Sequence, residues 1–256
     1  MKKRLLKAAL LPLAFPLLVL GCSTYAFAGD DVSVSVSVDY VTEYVFRGTT
    51  LAGDAFQPGA EISVGQFTAG IWASTPSGRE SIAFADEIDL YASYSLALSD
   101  KVSADIGATL YHYPQAGGVF DIGASKASTF EPYVSLGFDA PLSPSLSAYY
   151  DVNLNAFTLE GGAGYSFPVA EKTSFDVSGS AGLVSVKGGG DYQYGSLSGA
   201  LSYAFTETTS VYAGVNAGFS SENTFADASF DPLDPSSIAA PDKSSLWFGL
   251  GISSGF

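Results

Sequence analysis

The sequence predicts an all-β protein, a single transmembrane antiparallel up-and-down β-barrel of about 12 strands, an even number as is usual for bacterial outer-membrane barrels. Three observations lead there. The chain opens with an export leader; apolar and polar residues then alternate with period two almost to the last residue; and the connections are short on one side and mostly long on the other.

Lys2, Lys3, Arg4 and Lys7 precede an apolar run from Ala8 to Leu20, and Ala26-Phe27-Ala28 supplies a small-x-small cleavage site. This is the layout of a secretory signal peptide, so residues 1–28 read as a leader and residues 29–256 as the barrel. The apolar run falls short of the ~20 residues of a spanning helix. Val19-Leu20-Gly21-Cys22 offers a competing lipoprotein-type reading, with a lipid on Cys22. Cleavage after Ala28 would leave a mature chain without cysteine, and so without disulfides or thiol chemistry. Four of the 11 basic residues would leave with the leader, and seven would remain against 26 acidic ones. Such a surplus argues against nucleic acid, whose phosphates need Lys and Arg.

Beyond Gly29 no apolar repeat has helical period. Val32-Ser33-Val34-Ser35-Val36-Ser37-Val38-Asp39-Tyr40 alternates cleanly, and the pattern continues to Arg47. Ile88, Leu90, Ala92, Tyr94, Leu96 and Leu98 repeat it, as do Val102, Ala104, Ile106, Ala108 and Leu110. Applied throughout, the rule gives strands at 32–47, 57–65, 67–75, 86–98, 102–113, 128–139, 146–154, 157–167, 174–184, 192–205, 210–220 and 244–256. Most reach the ~9–11 residues that cross a bilayer at a tilt. With a periplasmic N-terminus, the inner turns are 66, 99–101, 140–145, 168–173 and 206–209. The outer loops are 48–56, 76–85, 114–127, 155–156, 185–191 and 221–243, and only 155–156 is short.

A soluble β-sandwich or barrel would also alternate, but it would put Lys and Glu on its outside. Here the polar face is Ser, Thr, Gly, Tyr and Asp, and lysines fall in turns and loops. That suits a polar interior inside an apolar wall, since lipid tolerates no unpaired backbone. The expected location is the cell outer membrane of a Gram-negative bacterium, in contact with lipid and lipopolysaccharide. In the last strand Leu246, Phe248, Leu250, Ile252 and the terminal Phe256 share one parity. This resembles the C-terminal signal read by the barrel assembly machinery, except that Ser254 stands where an apolar residue is usual.

Several blocks resemble one family. Tyr44-Val45-Phe46-Arg47-Gly48 resembles the Asp-Tyr-Val-Phe-Arg-Gly signature of the TorF family of porins, and Gly70-Ile71-Trp72-Ala73-Ser74 resembles its second block. Glu87-Ile88-Asp89-Leu90-Tyr91-Ala92, Tyr111-His112-Tyr113-Pro114 and Tyr149-Tyr150-Asp151 are similar to later ones. Thr42-Glu43 departs from the Ser-Asp often found before the aromatic. The resemblance implies an outer-membrane barrel more firmly than a pore, and it transfers no functional residues.

By parity the interior receives Asp39, Glu43, Glu61, Glu87, Asp89, Asp105, Glu131, Asp139, Asp151, Glu160 and Asp176, with Arg47 as the one basic residue. Glu43, Arg47, Glu61, Glu87, Asp89, Glu131, Asp151 and Glu160 are the expected lining of the narrow part. Carboxylate rings concentrate cations and repel anions. The expectation is a porin-like channel for small hydrophilic, cationic solutes, with Arg47 tied to neighbouring carboxylates. The alternative is a closed structural or loop-binding barrel, because inward charges also form networks that fill a lumen. Twelve strands lie between the filled and open sizes, and Tyr91, Tyr111, Tyr133, Tyr149, Tyr192 and Tyr194 would narrow the bore.

Catalysis finds little support. Outer-membrane lipid hydrolases pair a His with a Ser two positions away on the lipid-facing wall; His112 has that parity, but Leu110 and Pro114 flank it at that spacing. One histidine and no mature cysteine leave zinc and copper without their usual ligands, so no cofactor or metal is expected. Asp227, Asp231, Asp234 and Asp242 lack a calcium-loop spacing.

Overall fold

The structure is a computed structural model that describes residues 32–77, 86–225 and 242–256. The leader with Cys22, and Asp227, Asp231 and Asp234, lie outside the described residues. In chain order the strands are β1 (Val32–Val41), β2 (Tyr44–Phe46), β3 (Thr49–Ala52), β4 (Ala55–Val64), β5 (Phe67–Pro76), β6 (Glu87–Ser99) and β7 (Val102–His112). They continue as β8 (Ser128–Phe138), β9 (Ser145–Asp151), β10 (Ala156–Ala170), β11 (Thr173–Val186), β12 (Tyr192–Ala204), β13 (Thr209–Ser220) and β14 (Ser244–Gly255).

Twelve of them, all but β2 and β3, form one closed antiparallel barrel in which each strand pairs with its neighbours in sequence. β1 closes it, pairing with β4 on one side and β14 on the other. At the seam Val34 and Phe256 exchange backbone hydrogen bonds of 3.0 and 2.8 Å, which anchors the terminal residue. Closure leaves the barrel itself without an edge strand.

The alternation read from the sequence sorts the wall by face. On β14 Leu246, Phe248, Leu250 and Ile252 are exposed, while Trp247, Gly249, Gly251 and Ser253 are buried. Val32, Val36 and Val38 on β1 are exposed in the same way, as are Leu197 and Leu201 on β12. Large apolar side chains thus cover the outside and polar ones fill the inside, the inverse of a water-soluble barrel.

Among the boundaries that depart from the sequence expectation, two have a clear physical cause. β1 does not run to Arg47: it stops at Val41, and residues 42–54 form no plain loop. Thr42 still pairs with Phe248, then the chain turns inward at Glu43 and builds the separate hairpin β2–β3. β9 ends at Asp151 rather than at residue 154, because the Asp151 carboxylate accepts the backbone N–H groups of Asn153 and Leu154 at 2.9 and 2.8 Å. This is the aspartate-capped turn that competes with strand continuation.

At the end of the barrel that carries the longer connections, Val41, Tyr44, Val45, Ala52, Ala55, Trp72, Phe225 and Trp247 pack into a buried apolar cluster. It joins the hairpin to β1, β4, β5 and β14. His112 closes β7 there; it is buried rather than lipid-facing, with Nδ1 2.9 Å from the Ser128 hydroxyl. That hydroxyl donates to the Val119 carbonyl at 2.9 Å, so it is committed to the loop rather than aimed at a substrate.

Candidate functional site

The hairpin turns on two residues. Phe46 pairs with Thr49, leaving Arg47 and Gly48 as the central pair, with φ of +47° and +71°. Positive φ at both positions defines the type I′ turn whose twist suits a two-residue hairpin. Glycine takes that conformation freely; arginine does so at a cost of about 1 kcal/mol or more.

What holds Arg47 there is the far wall. Its Nη1 and Nη2 donate to the two carboxylate oxygens of Glu131 on β8, at 2.7 and 2.8 Å. Nη1 also reaches the Thr158 hydroxyl on β10 at 3.4 Å, and the Tyr111 hydroxyl on β7 donates to Glu131 at 2.9 Å. The guanidinium lies 4.3 Å from the Tyr149 ring centre on β9 and 4.6 Å from that of Phe46. The hairpin springs from β1 and β4, and β8 to β10 stand opposite them in the strand order. The segment therefore crosses the interior.

The rest of the hairpin is also docked. Thr49 donates to the Tyr192 hydroxyl at 3.4 Å, and the Gly48 Cα abuts Tyr194 so closely that an added Cβ would stand 2.4 Å from the tyrosine Cβ. Thr224 donates to the Gly48 carbonyl, and the Thr50 N–H donates to the Thr224 carbonyl at 3.1 Å. Tyr44 packs on Trp72 at 5.5 Å between ring centres and donates its hydroxyl to Glu87 at 3.1 Å. Glu43, at the inward bend, accepts from Thr50 and Ser245; burial pushes its carboxyl above the usual range, and the two hydroxyls offset part of that.

Below the hairpin the wall shows a repeated device. In three places an acid, a glycine and a tyrosine lie directly opposite one another on three successive strands, and the tyrosine lies flat over the glycine to reach the acid. Glu61, Gly70 and Tyr91 form one row, with a hydroxyl-to-carboxylate distance of 3.0 Å. Glu160, Gly182 and Tyr194 form the second at 2.5 Å, and Asp39, Gly251 and Tyr212 the third at 2.7 Å. Tyr133 lies over Gly107 in the same manner. A ring laid over a bare glycine stays against the wall. Tyr91, Tyr133 and Tyr194 thus take less of the bore than their size implies, while Tyr111 and Tyr149 meet the hairpin. Between the rows, hydroxyl pairs line the wall: Ser135 with Ser147 at 2.7 Å and Ser180 with Ser196 at 3.0 Å.

The residues expected to form the narrow part divide into groups. Arg47 and Glu131 meet directly, and Glu43 and Glu87 bind the hairpin. Asp89 is buried beside Glu87, with its Oδ1 lacking a partner. Glu61 and Glu160 belong to the tyrosine rows, and Asp151 is engaged in its own turn. Asp105 faces inward against Ser95, whereas Asp139 is exposed in the turn after β8. Sequence reasoning missed Phe46, Thr158 and Ser245, and the part played by Gly48. Only the Arg-Gly pair offered a cue, and it lacks the Asn or Asp usual in such turns.

Among the described residues Arg47 is the one basic side chain inside; Lys101, Lys126, Lys172, Lys187 and Lys243 are exposed in turns and loops. No three acidic, histidine or cysteine side chains among them converge as a metal-holding group.

No curated protein sequence matches this chain. The barrel is similar to solved structures described as a KdgM porin (14% identity, 87% of this chain and 99% of that one, TM-score 0.54) and a NanC porin (14%, 86% and 98%, 0.51). It is also similar to a KdgM porin in complex with disordered oligogalacturonate (14%, 88% and 99%, 0.52). At that identity the likeness is one of fold. Residues 26–166, more than half the chain and including the hairpin and β4 to β9, match the family described as "Bacterial protein of unknown function (Gcw_chp)", and the protein belongs to that family.

Proposed function

We propose that the protein is an outer-membrane, porin-like channel for passive diffusion of small hydrophilic cations, narrowed by its own hairpin. The observation that carries this reading is the interior charge: among the described residues, a closed barrel with an apolar outside holds Glu43, Glu61, Glu87, Asp89, Asp105, Glu131 and Glu160 against the single basic residue Arg47. Carboxylates in a confined bore raise the local cation concentration and exclude anions. The apolar outer face suits lipid, and the barrel resembles those of porins in fold. The resemblance of Tyr44–Gly48 to the TorF porin signature supports the same reading and falls on the hairpin tip. Oligogalacturonate, named with one KdgM structure, is a polyanion; the carboxylate-lined interior here favours solutes of opposite charge.

The test is single-channel recording in a planar bilayer under a KCl gradient. Discrete steps with a cation-selective reversal potential, reduced by neutralising Glu61 and Asp105, are expected. A folded, inserted protein that passes no current would make this a closed barrel.

A further inference from the structure

We propose that the wall opposite the hairpin is a binding site for guanidinium-bearing solutes, occupied in the closed state by the chain's own Arg47. The receptor half lies entirely on barrel strands. Glu131 supplies both carboxylate oxygens, Tyr111 holds that carboxylate at 2.9 Å, and Tyr149 supplies the stacking face at 4.3 Å. Thr158, paired directly with Tyr149 on the next strand, adds a hydroxyl at 3.4 Å. These groups are placed by the β7–β10 ladder, so they persist when the hairpin leaves.

The chemistry selects the ligand class. Two carboxylate oxygens that accept parallel N–H groups at 2.7 and 2.8 Å match the forked guanidinium, and the aromatic face matches its planar, weakly hydrated cation. An ammonium group is a compact point charge and cannot make the bidentate contact and the stack together. Glu131 is 3% exposed, so without Arg47 it becomes a buried, uncompensated carboxylate that a solute cation can neutralise. Arg47 retains 11% side-chain exposure, so the site is not sealed from the interior. A guanidinium solute arriving there competes with Arg47 and frees the hairpin, making the latch a solute-displaced gate. The gating consequence rests on the channel reading above; the binding site does not.

Binding is therefore tested without current. The mature chain, refolded in detergent and checked by its gel shift on boiling, is titrated calorimetrically with methylguanidinium and with methylammonium. Arg47→Ala is expected to bind methylguanidinium saturably and at least about tenfold more tightly than methylammonium, and wild type at least about tenfold more weakly than Arg47→Ala. Arg47→Ala/Glu131→Gln is expected to lose binding. Should Arg47→Ala not fold, Arg47→Gln keeps the volume without the charge. A folded Arg47 variant with no saturable binding, or with binding that survives Glu131→Gln, overturns the proposal. Binding in a barrel that carries no current would uphold the site and refute the channel.

Discussion

Glu131→Gln separates the stability of the hairpin from that of the barrel. The substitution keeps the shape of Glu131 but leaves the Arg47 guanidinium without its counter-charge, where its side chain is 11% exposed and that of Glu131 4%. Removing one partner of a buried pair costs about 3–5 kcal/mol, because the survivor stays desolvated. At 1.4 kcal/mol per decade, that is a factor of hundreds to thousands. Arg47 has an escape, however. The hairpin contributes nothing to the barrel ladder, so swinging out restores hydration and loses the side-chain contacts to Glu87, Tyr192 and Ser245 but no strand-to-strand hydrogen bond of the wall. The cost should therefore fall on the docked-to-undocked ratio. Single-channel recording is expected to show a larger, flickering conductance, while the urea midpoint for barrel unfolding stays close to wild type. Replacing both partners, Arg47→Met with Glu131→Met, leaves neither member of the pair as an unmatched buried charge and should return the small conductance. An unchanged conductance with a lowered urea midpoint would refute this reasoning, since the energy would then be drawn from the wall.

Three further outcomes are expected. Gly48→Val requires a β-branched residue at φ +71° with its Cβ 2.4 Å from that of Tyr194, so it should undock the tip and raise conductance as Glu131→Gln does; a wild-type trace would show that the tip does not gate. Gly251→Ala places a methyl 2.1 Å from the Asp39 carboxylate and 2.5 Å from the Tyr212 ring, so the Asp39–Tyr212 pair must lift off the wall; conductance should fall, and Gly251→Ala/Tyr212→Ala, which frees the Asp39 carboxylate to turn aside, should restore it. Leu250→Arg puts a charge on the outer face, where the wild-type side chain is 56% exposed, at a cost of about 2–4 kcal/mol near mid-membrane. The folded fraction in lipid vesicles should drop, whereas Ser221→Arg in a loop should leave it unchanged.

Most of the wall was legible because its physics is local. Ile88 to Leu98 and Val102 to Leu110 alternate without interruption, and β6 and β7 fall within two residues of the expected bounds. The hairpin was not legible for the same reason. Tyr44-Val45-Phe46 continues the alternation of β1, so nothing local marks the bend at Glu43. The decision is made by distant groups: Trp72, Trp247 and Phe225 receive the apolar side of the hairpin, and Glu131 receives Arg47. The acid–glycine–tyrosine rows were hidden differently. Each needs the register of three strands at once, and composition gives only unrelated glycines and tyrosines. Arg47 paired with a carboxylate was expected from charge; that the pair spans the interior was not.

The position of the hairpin has a consequence for how the molecule is assembled. Along the described chain β1 comes first and β14 last, and the barrel exists only once they zip together. The hairpin follows β1 directly, yet its seat is built from Trp72 on β5, Glu131 on β8, Tyr194 on β12 and Ser245 on β14. Those groups surround one space only after the seam has shut. Seating Arg47 is thus a late event that reports completed closure, and a chain stalled with an open seam would carry an unseated hairpin as its mark.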